Sequence, residues 1–235
     1  MRVVDPEPEG DPLSREAAYG EEAARRRLLI PPLILAIPMI AAFLALAWTQ
    51  GGMGEWAVSG PRLAEGRYHL IVTHMFAHAG LMHIGFNLVA LFALAPAVTE
   101  RLGPLTLRSA AAFFALFFGC GIAGMALWLA LNPASEIPML GASGAIFGLL
   151  GFLMRQPDPH GKPISLASPA MARAFAEWIK LHLPLVALFA IPLLLGSDFF
   201  GLAWEAHLGG FVAGLLLCGP IRAWAGNRPA PMPLD

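Results

Sequence analysis

Six stretches of this 235-residue chain carry no charged side chain when histidine is counted as neutral: Leu28–Gly54, Tyr68–Thr99, Ser109–Ser135, Ile137–Met154, Leu181–Ser197 and Ala206–Ile221. A helix needs about 20 mostly apolar residues to cross the hydrocarbon core of a bilayer. The last two runs are short, at 17 and 16 residues, but polar neighbours that snorkel complete them. The pattern predicts an all-α membrane protein with six transmembrane helices, near 31–50, 81–99, 108–131, 142–155, 181–196 and 206–222. Composition agrees: 57% of residues are hydrophobic and 13% charged, against roughly 25% charged in soluble domains. That balance excludes a disordered chain, a nucleic-acid-binding surface and a soluble enzyme. Cys120 and Cys218 lie in apolar runs and read as small buried hydrophobes, not as a disulfide framework.

Lys and Arg set the orientation. The N-terminal segment, the 100–108 turn, the 155–180 loop and the C-terminal segment together hold 13 of them; the opposite side holds only Arg62 and Arg67. The positive-inside rule puts both termini in the cytoplasm, and an odd number of spans would have scrambled the split. Residues 1–28 are rich in Glu, Pro and Arg and read as a disordered cytoplasmic tail, not a signal peptide. Residues 29–225 form the helical domain, and 226–235 a second tail. The Arg25–Arg27 cluster is an orientation anchor. The external loop from Gly51 to Gly80 is semi-apolar and can lie at the interface. Met171–Ile179, on the inner side, has the amphipathic pattern of a surface helix.

A polar residue inside a spanning segment is expensive, so it marks function by default. The second, fourth and sixth segments each open on such residues: His83 and Asn87, then Ser143 within Gly141-Ala142-Ser143-Gly144, then His207. With the N-terminus inside, all three segments start on the outer side. His83, Ser143 and His207 then lie at similar shallow depth, and Asn87 shares the face of His83. The chemistry that uses this set is acyl transfer. A serine hydroxyl becomes a nucleophile when a base takes its proton, and histidine is the best-matched base near neutral pH. Backbone N–H groups at a helix N-terminus, an Asn amide and a His N–H all suit an oxyanion. Taken singly, each motif has a plain packing role. Packing and function also cooperate: Gly144 and Gly148 opposite Gly210 and Gly214 form two small-residue seams, which would let Ser143 reach His207.

These residues resemble the rhomboid family of intramembrane serine proteases. The matching pieces are His74-x-x-x-His78-x-x-x-x-His83-x-x-x-Asn87, Gly141-Ala142-Ser143-Gly144 and Ala206-His207-x-x-Gly210-x-x-x-Gly214, in the family order, within a similarity covering roughly 30–225. The resemblance implies a six-helix rhomboid-like bundle with a catalytic Ser143–His207 dyad and no acidic third member. It implies oxyanion roles for His83 and Asn87, and suggests that Phe147 packs on the His207 ring. Two departures stand out. Gly66-Arg67 occupies the place where many members have Trp-Arg, and the spacing from Arg67 to His74 is longer. His74 and His78 are expected to be structural. No carboxylate or Cys lies at ligand spacing from them, so neither a metal nor any other cofactor is expected. Glu205 is expected to point away from the His207 face.

The function so implied is an intramembrane serine endopeptidase. It would cut membrane-protein substrates near the outer face of a bacterial-type inner membrane, with the lipid bilayer and no nucleic acid as its other partner. A non-catalytic rhomboid-like binder of membrane clients, or a small transporter, are the alternatives. Retention of Ser143 and His207 speaks against the first, and clustering of the polar residues at one end against the second. Oligomeric state is not readable from the sequence.

Overall fold

The computed structural model describes residues 20, 22–23, 25–46, 49–180 and 203–226. Among these the regular structure is helical, and the only β pairing is an isolated antiparallel bridge between Val58 and Met139. Helix α1 is Ile30–Leu46, α2 Gly60–Ala64, α3 Leu70–Thr73, α4 Leu81–Arg101, α5 Leu107–Leu131 and α6 Ser143–Arg155; α7 covers 169–180 and α8 is Trp204–Ala225. The expected fifth span, 181–196, lies outside the described residues, as do most of the expected N-terminal tail and nearly all of the C-terminal one.

Among the described residues four helices are long and apolar enough to cross a membrane: Arg25–Leu46, which contains α1, then α4, α5 and α8. Their outward faces are made for lipid. Ile37, Phe86 and Val89 are 65–70% exposed, far beyond what a water-soluble surface gathers on adjoining helices. The chain is thus an integral membrane protein built as a helical bundle. The expected first span, 31–50, overruns: the described helix runs to Leu46, and Thr49 and Gln50 lie outside it. The Thr49 N–H and hydroxyl both donate to Leu46 O, at 3.1 and 2.9 Å. Thr49 and Gln50 are uncharged, so a search for charge-free runs cannot leave them out. At the start of α5 the Thr106 hydroxyl accepts from Ser109 N–H while Ser109 Oγ accepts from Thr106 N–H, a reciprocal cap that fixes where the helix begins.

Among the described helices α6 is the innermost. Its 13 residues span about 20 Å, less than the roughly 30 Å hydrocarbon core. Phe152 and Leu149 of α6 pack with Phe113, Leu116 and Phe117 of α5 in the main core, which α8 closes through Cys218 and Ile221. The seams between α6 and α8 pair as the spacing predicts: a Cβ on Gly210 would fall on Gly144 O, and one on Gly214 on Gly148 O. Helix α7 includes the predicted amphipathic stretch. Met171 is buried, Arg173, Glu177 and Lys180 are exposed, and the Phe175 ring lies 6.3 Å from Phe211 of α8.

Away from Ser143, arginines tie the helix ends together. Arg101 Nε donates to Gln156 O (2.6 Å), Arg155 Nη1 to Leu215 O (2.6 Å), and the buried Arg222 Nη1 to Gln156 Oε1 and Gly161 O (both 2.9 Å). They fasten the turn after α6 to α4 and α8, beneath the seams.

Candidate active site

Ser143 is the first residue of α6, and the segment before it is held on two sides. Met139 exchanges both backbone hydrogen bonds with Val58, each 2.8 Å, and Gly141 N–H donates to His74 O at 2.8 Å. Gly141 has φ +117°, a conformation closed to side-chain-bearing residues in practice. The first intrahelical bond runs from Ile146 N–H to Ala142 O. The N–H groups of Ser143, Gly144 and Ala145 therefore have no helical acceptor and stand at the positive end of the helix.

His207, in the first turn of α8, crosses to this point. Its Nε2 lies 2.7 Å from Ser143 Oγ. Phe147, one turn into α6, stacks on the imidazole with centroids 4.5 Å apart and planes within 8°. Among the described residues no carboxylate bonds to His207; Glu205 instead accepts from Asn132 Nδ2 at 3.0 Å.

On α4, His83 Nδ1 accepts from Ala79 N–H at 3.3 Å, which leaves the proton of a neutral ring on Nε2. That nitrogen faces Gly141: a Cβ there would sit 2.8 Å from His83 Nε2 and 3.9 Å from Ser143 Oγ. Gly141 is thus the gap through which the imidazole approaches the serine. Asn87 is buried one turn further on, and its Nδ2 donates to His83 O at 2.8 Å. Its Oδ1 is buried without a partner among the described residues. The structure therefore brings Ser143, His207 and His83 together. Asn87 sits behind His83 with no hydrogen bond to Ser143 or His207.

His74 and His78 reach further than the external loop to which the sequence assigns them. The buried His74 donates from Nδ1 to Leu70 O at 2.8 Å while its carbonyl holds Gly141. The fully buried His78 ring stands edge-on to His83, centroids 5.1 Å apart. Spacing along the chain gave no signal of either tie. In the same loop Arg62 donates to Gly54 O and Ala57 O, and Arg67 pairs with Glu55 at 3.0 Å. Among the described residues no group of three His, Cys, Asp or Glu is arranged to hold a metal ion.

Burial pushes the imidazole of His74 from the ordinary 6.5 down to about 4, outweighing its backbone hydrogen bonds, and burial does the same for His78, helped by the neighbouring His83. A histidine with a depressed folded pKa favours the unfolded state once protons bind. Its stability contribution is complete above the unfolded pKa of 6.5 and is lost as the pH falls from there towards 4. Thermal unfolding in detergent should give a midpoint that is flat above about 6.5 and drops steadily below it. A midpoint unchanged down to pH 4 would show that these rings are protonated without cost.

A family model described as Rhomboid domain matches residues 65–223, more than half of the chain. Rhomboid protein 1, mitochondrial, of Saccharomyces cerevisiae is 34% identical over 150 residues, covering 62% of this chain and 40% of that protein. Rhomboid protease GluP of Bacillus subtilis is 33% identical over 92 residues, 39% of this chain and 16% of that protein. The matched stretch is thus under half the length of either relative. The family match begins just before Arg67 and runs through His74, His83, Ser143 and His207 to the C-terminal part of α8, and on that extent the chain belongs to the rhomboid family.

Proposed function

We propose that the protein is an intramembrane serine endopeptidase that hydrolyses peptide bonds in transmembrane segments of other membrane proteins. The observation that carries this reading is the 2.7 Å contact between Ser143 Oγ and His207 Nε2 inside a membrane-built bundle. In the attack, Ser143 Oγ–H gives its proton to His207 Nε2 as the Oγ–C bond forms to the substrate carbonyl carbon. The resulting oxyanion faces the free N–H groups at the start of α6 and His83 Nε2–H; Asn87 Nδ2 completes the set by its second hydrogen. The imidazolium rests on the Phe147 face, which stabilises a cation where, among the described residues, no carboxylate does. Collapse breaks the C–N bond, and the amine leaves with the proton from His207. Water then gives a proton to His207 and its oxygen to the acyl carbon, Oγ takes the proton back, and a carboxylic acid is released. No metal or cofactor enters these steps.

A carbonyl inside a helix is already hydrogen-bonded and shielded, so the substrate must be unwound at the cut. Segments rich in glycine and small residues are the substrates this favours. The 13-to-2 split of positive residues supports six spans with both termini in the cytoplasm, and a cavity opening on the outer face of a bacterial-type inner membrane. The non-helical run before α6 fits such a cavity, because irregular backbone survives at membrane depth only where protein buries it or where it lines a water-filled cavity.

A serine-directed covalent inhibitor should label the detergent-solubilised protein at Ser143, and labelling should vanish in Ser143→Ala. No labelling of the parent protein, or label at another residue, would overturn the reading and favour a non-catalytic client binder. The oxyanion assignment has its own test. Asn87→Ala should lower kcat by about 10²-fold while leaving KM nearly unchanged, because the donor acts on charge present only in the transition state. An unchanged kcat would return Asn87 to a packing role on α4.

A further inference from the structure

We infer that Glu205 is a positioning residue for His207, acting through a hydrogen bond to Asn132 that ties the outer ends of α5 and α8. Its effect on turnover rests on the hydrolase reading above; the tie itself does not. Asn132 is the C-cap of α5. Its N–H and Nδ2 both return to Trp128 O, at 2.9 and 3.0 Å, which fixes the side chain, and Nδ2 also donates to Glu205 Oε1 at 3.0 Å. Glu205 is the second residue of α8, and His207 follows two positions on.

The first turn of α8 needs such a tie. Its N-cap, Ala203, offers no side-chain acceptor, and among the described residues the turn is closed by Ala206 and His207 N–H donating to Ala203 O, at 3.0 and 3.3 Å. Ala206 is clamped between two helices: a Cβ on Gly124 of α5 would lie 2.5 Å from Ala206 O, and one on Gly144 of α6 3.1 Å from it. That clamp fixes how closely α8 approaches, and the bonds of Arg155 to Leu215 O and of Arg222 to Gln156 hold the far half of the helix, which leaves the rotation of its first turn to be set at its own end. A bond from Glu205 to a capped side chain on α5 sets that rotation, and the rotation decides whether His207 Nε2 meets Ser143. A second role is open to a carboxylate here, since negative charge in a first turn favours the helix dipole. The two roles separate by chemistry: the tie needs an acceptor at 205 and a donor at 132, whereas the dipole needs only the charge.

The test uses the full chain in detergent, with Asn132→Asp, Glu205→Gln and the double variant. Asn132→Asp sets two acceptors face to face. Glu205→Gln keeps an oxygen acceptor and removes the charge. The double variant restores the bond between 132 and 205 with donor and acceptor exchanged; the Nδ2 bond to Trp128 O is lost equally in Asn132→Asp and in the double variant, so it cancels from their comparison. Covalent labelling of Ser143 and kcat should fall about 10²-fold in Asn132→Asp, the scale of a misplacement of about 1 Å, with KM little changed. Glu205→Gln should stay near the parent, and the double variant should recover most of the loss. Recovery is the outcome that general destabilisation does not produce. Asn132→Asp behaving as the parent overturns the inference. So does a loss in Glu205→Gln that the double variant keeps, the signature of charge on the dipole. Should the parent serine prove unreactive, the hydrolase reading falls, and hydrogen exchange at the Ala206 and His207 amides decides the tie. Faster exchange in Asn132→Asp that the double variant reverses supports it, and equal exchange in all four proteins overturns it.

Discussion

Ser143→Ala is expected to remove peptide-bond cleavage altogether, and His207→Ala to do the same. In a soluble serine protease, loss of the nucleophile or its base alone costs about 10⁶ in kcat, nearly as much as loss of the whole catalytic set. The proposed pair is smaller, with the base held, among the described residues, by a ring stack and not by a carboxylate, but its proton transfer would be equally indivisible. A variant lacking both should therefore be no worse than either single one. Ser143→Ala deletes one oxygen, so it should unfold at the parent temperature. His207→Ala also loses the Phe147 stack and should melt somewhat lower. The measurement is cleavage of a model transmembrane substrate, in detergent and in proteoliposomes, beside thermal unfolding of each variant. Turnover that survives Ser143→Ala would remove serine chemistry from the reading.

Much of this arrangement was legible because a membrane is a demanding solvent. Every backbone polar group in hydrocarbon must be satisfied within its own helix, so long apolar runs map onto helices almost directly. The second and third segments were placed within two residues of α4 and α5. The α6–α8 seam was legible for a related reason. Small residues four apart mark where helices meet when no hydrophobic effect drives them together, and Gly210 and Gly214 meet Gly144 and Gly148. What stayed hidden depends on partners far along the chain. Nothing near Asn132 in sequence announces Glu205, 73 residues away. Arg101 and Arg222 counted only as orientation charges, yet both hold the turn after α6. His74 looked local, but its carbonyl meets a segment defined only once α6 is in place. That Thr49 and Gln50 lie outside α1 was missed because both are uncharged.

The seam itself should be the least tolerant part of the molecule. Gly210 stands one turn after His207, and Gly144 directly follows Ser143. A methyl group at 210 would fall on Gly144 O, a backbone atom that cannot rotate aside, so α6 and α8 must separate. Overpacking of this kind costs about 1–3 kcal/mol or more. Gly210→Ala should thus lower the unfolding temperature and cut labelling of Ser143 together, because the same separation breaks the 2.7 Å contact. Gly119→Ala, in the middle of α5, supplies the contrast: among the described residues its new Cβ would meet only Leu217 Cδ1 at 3.6 Å, an ordinary contact. Alanine is favoured over glycine in a helix interior by up to about 1 kcal/mol, so this variant should be as stable as the parent or more so, and fully labelled. The two proteins should be compared by thermal unfolding and by labelling rate in one detergent. If Gly210→Ala kept both at the level of Gly119→Ala, the helices would not be in backbone contact, and the route by which His207 reaches Ser143 would have to be sought elsewhere than in the glycine seam.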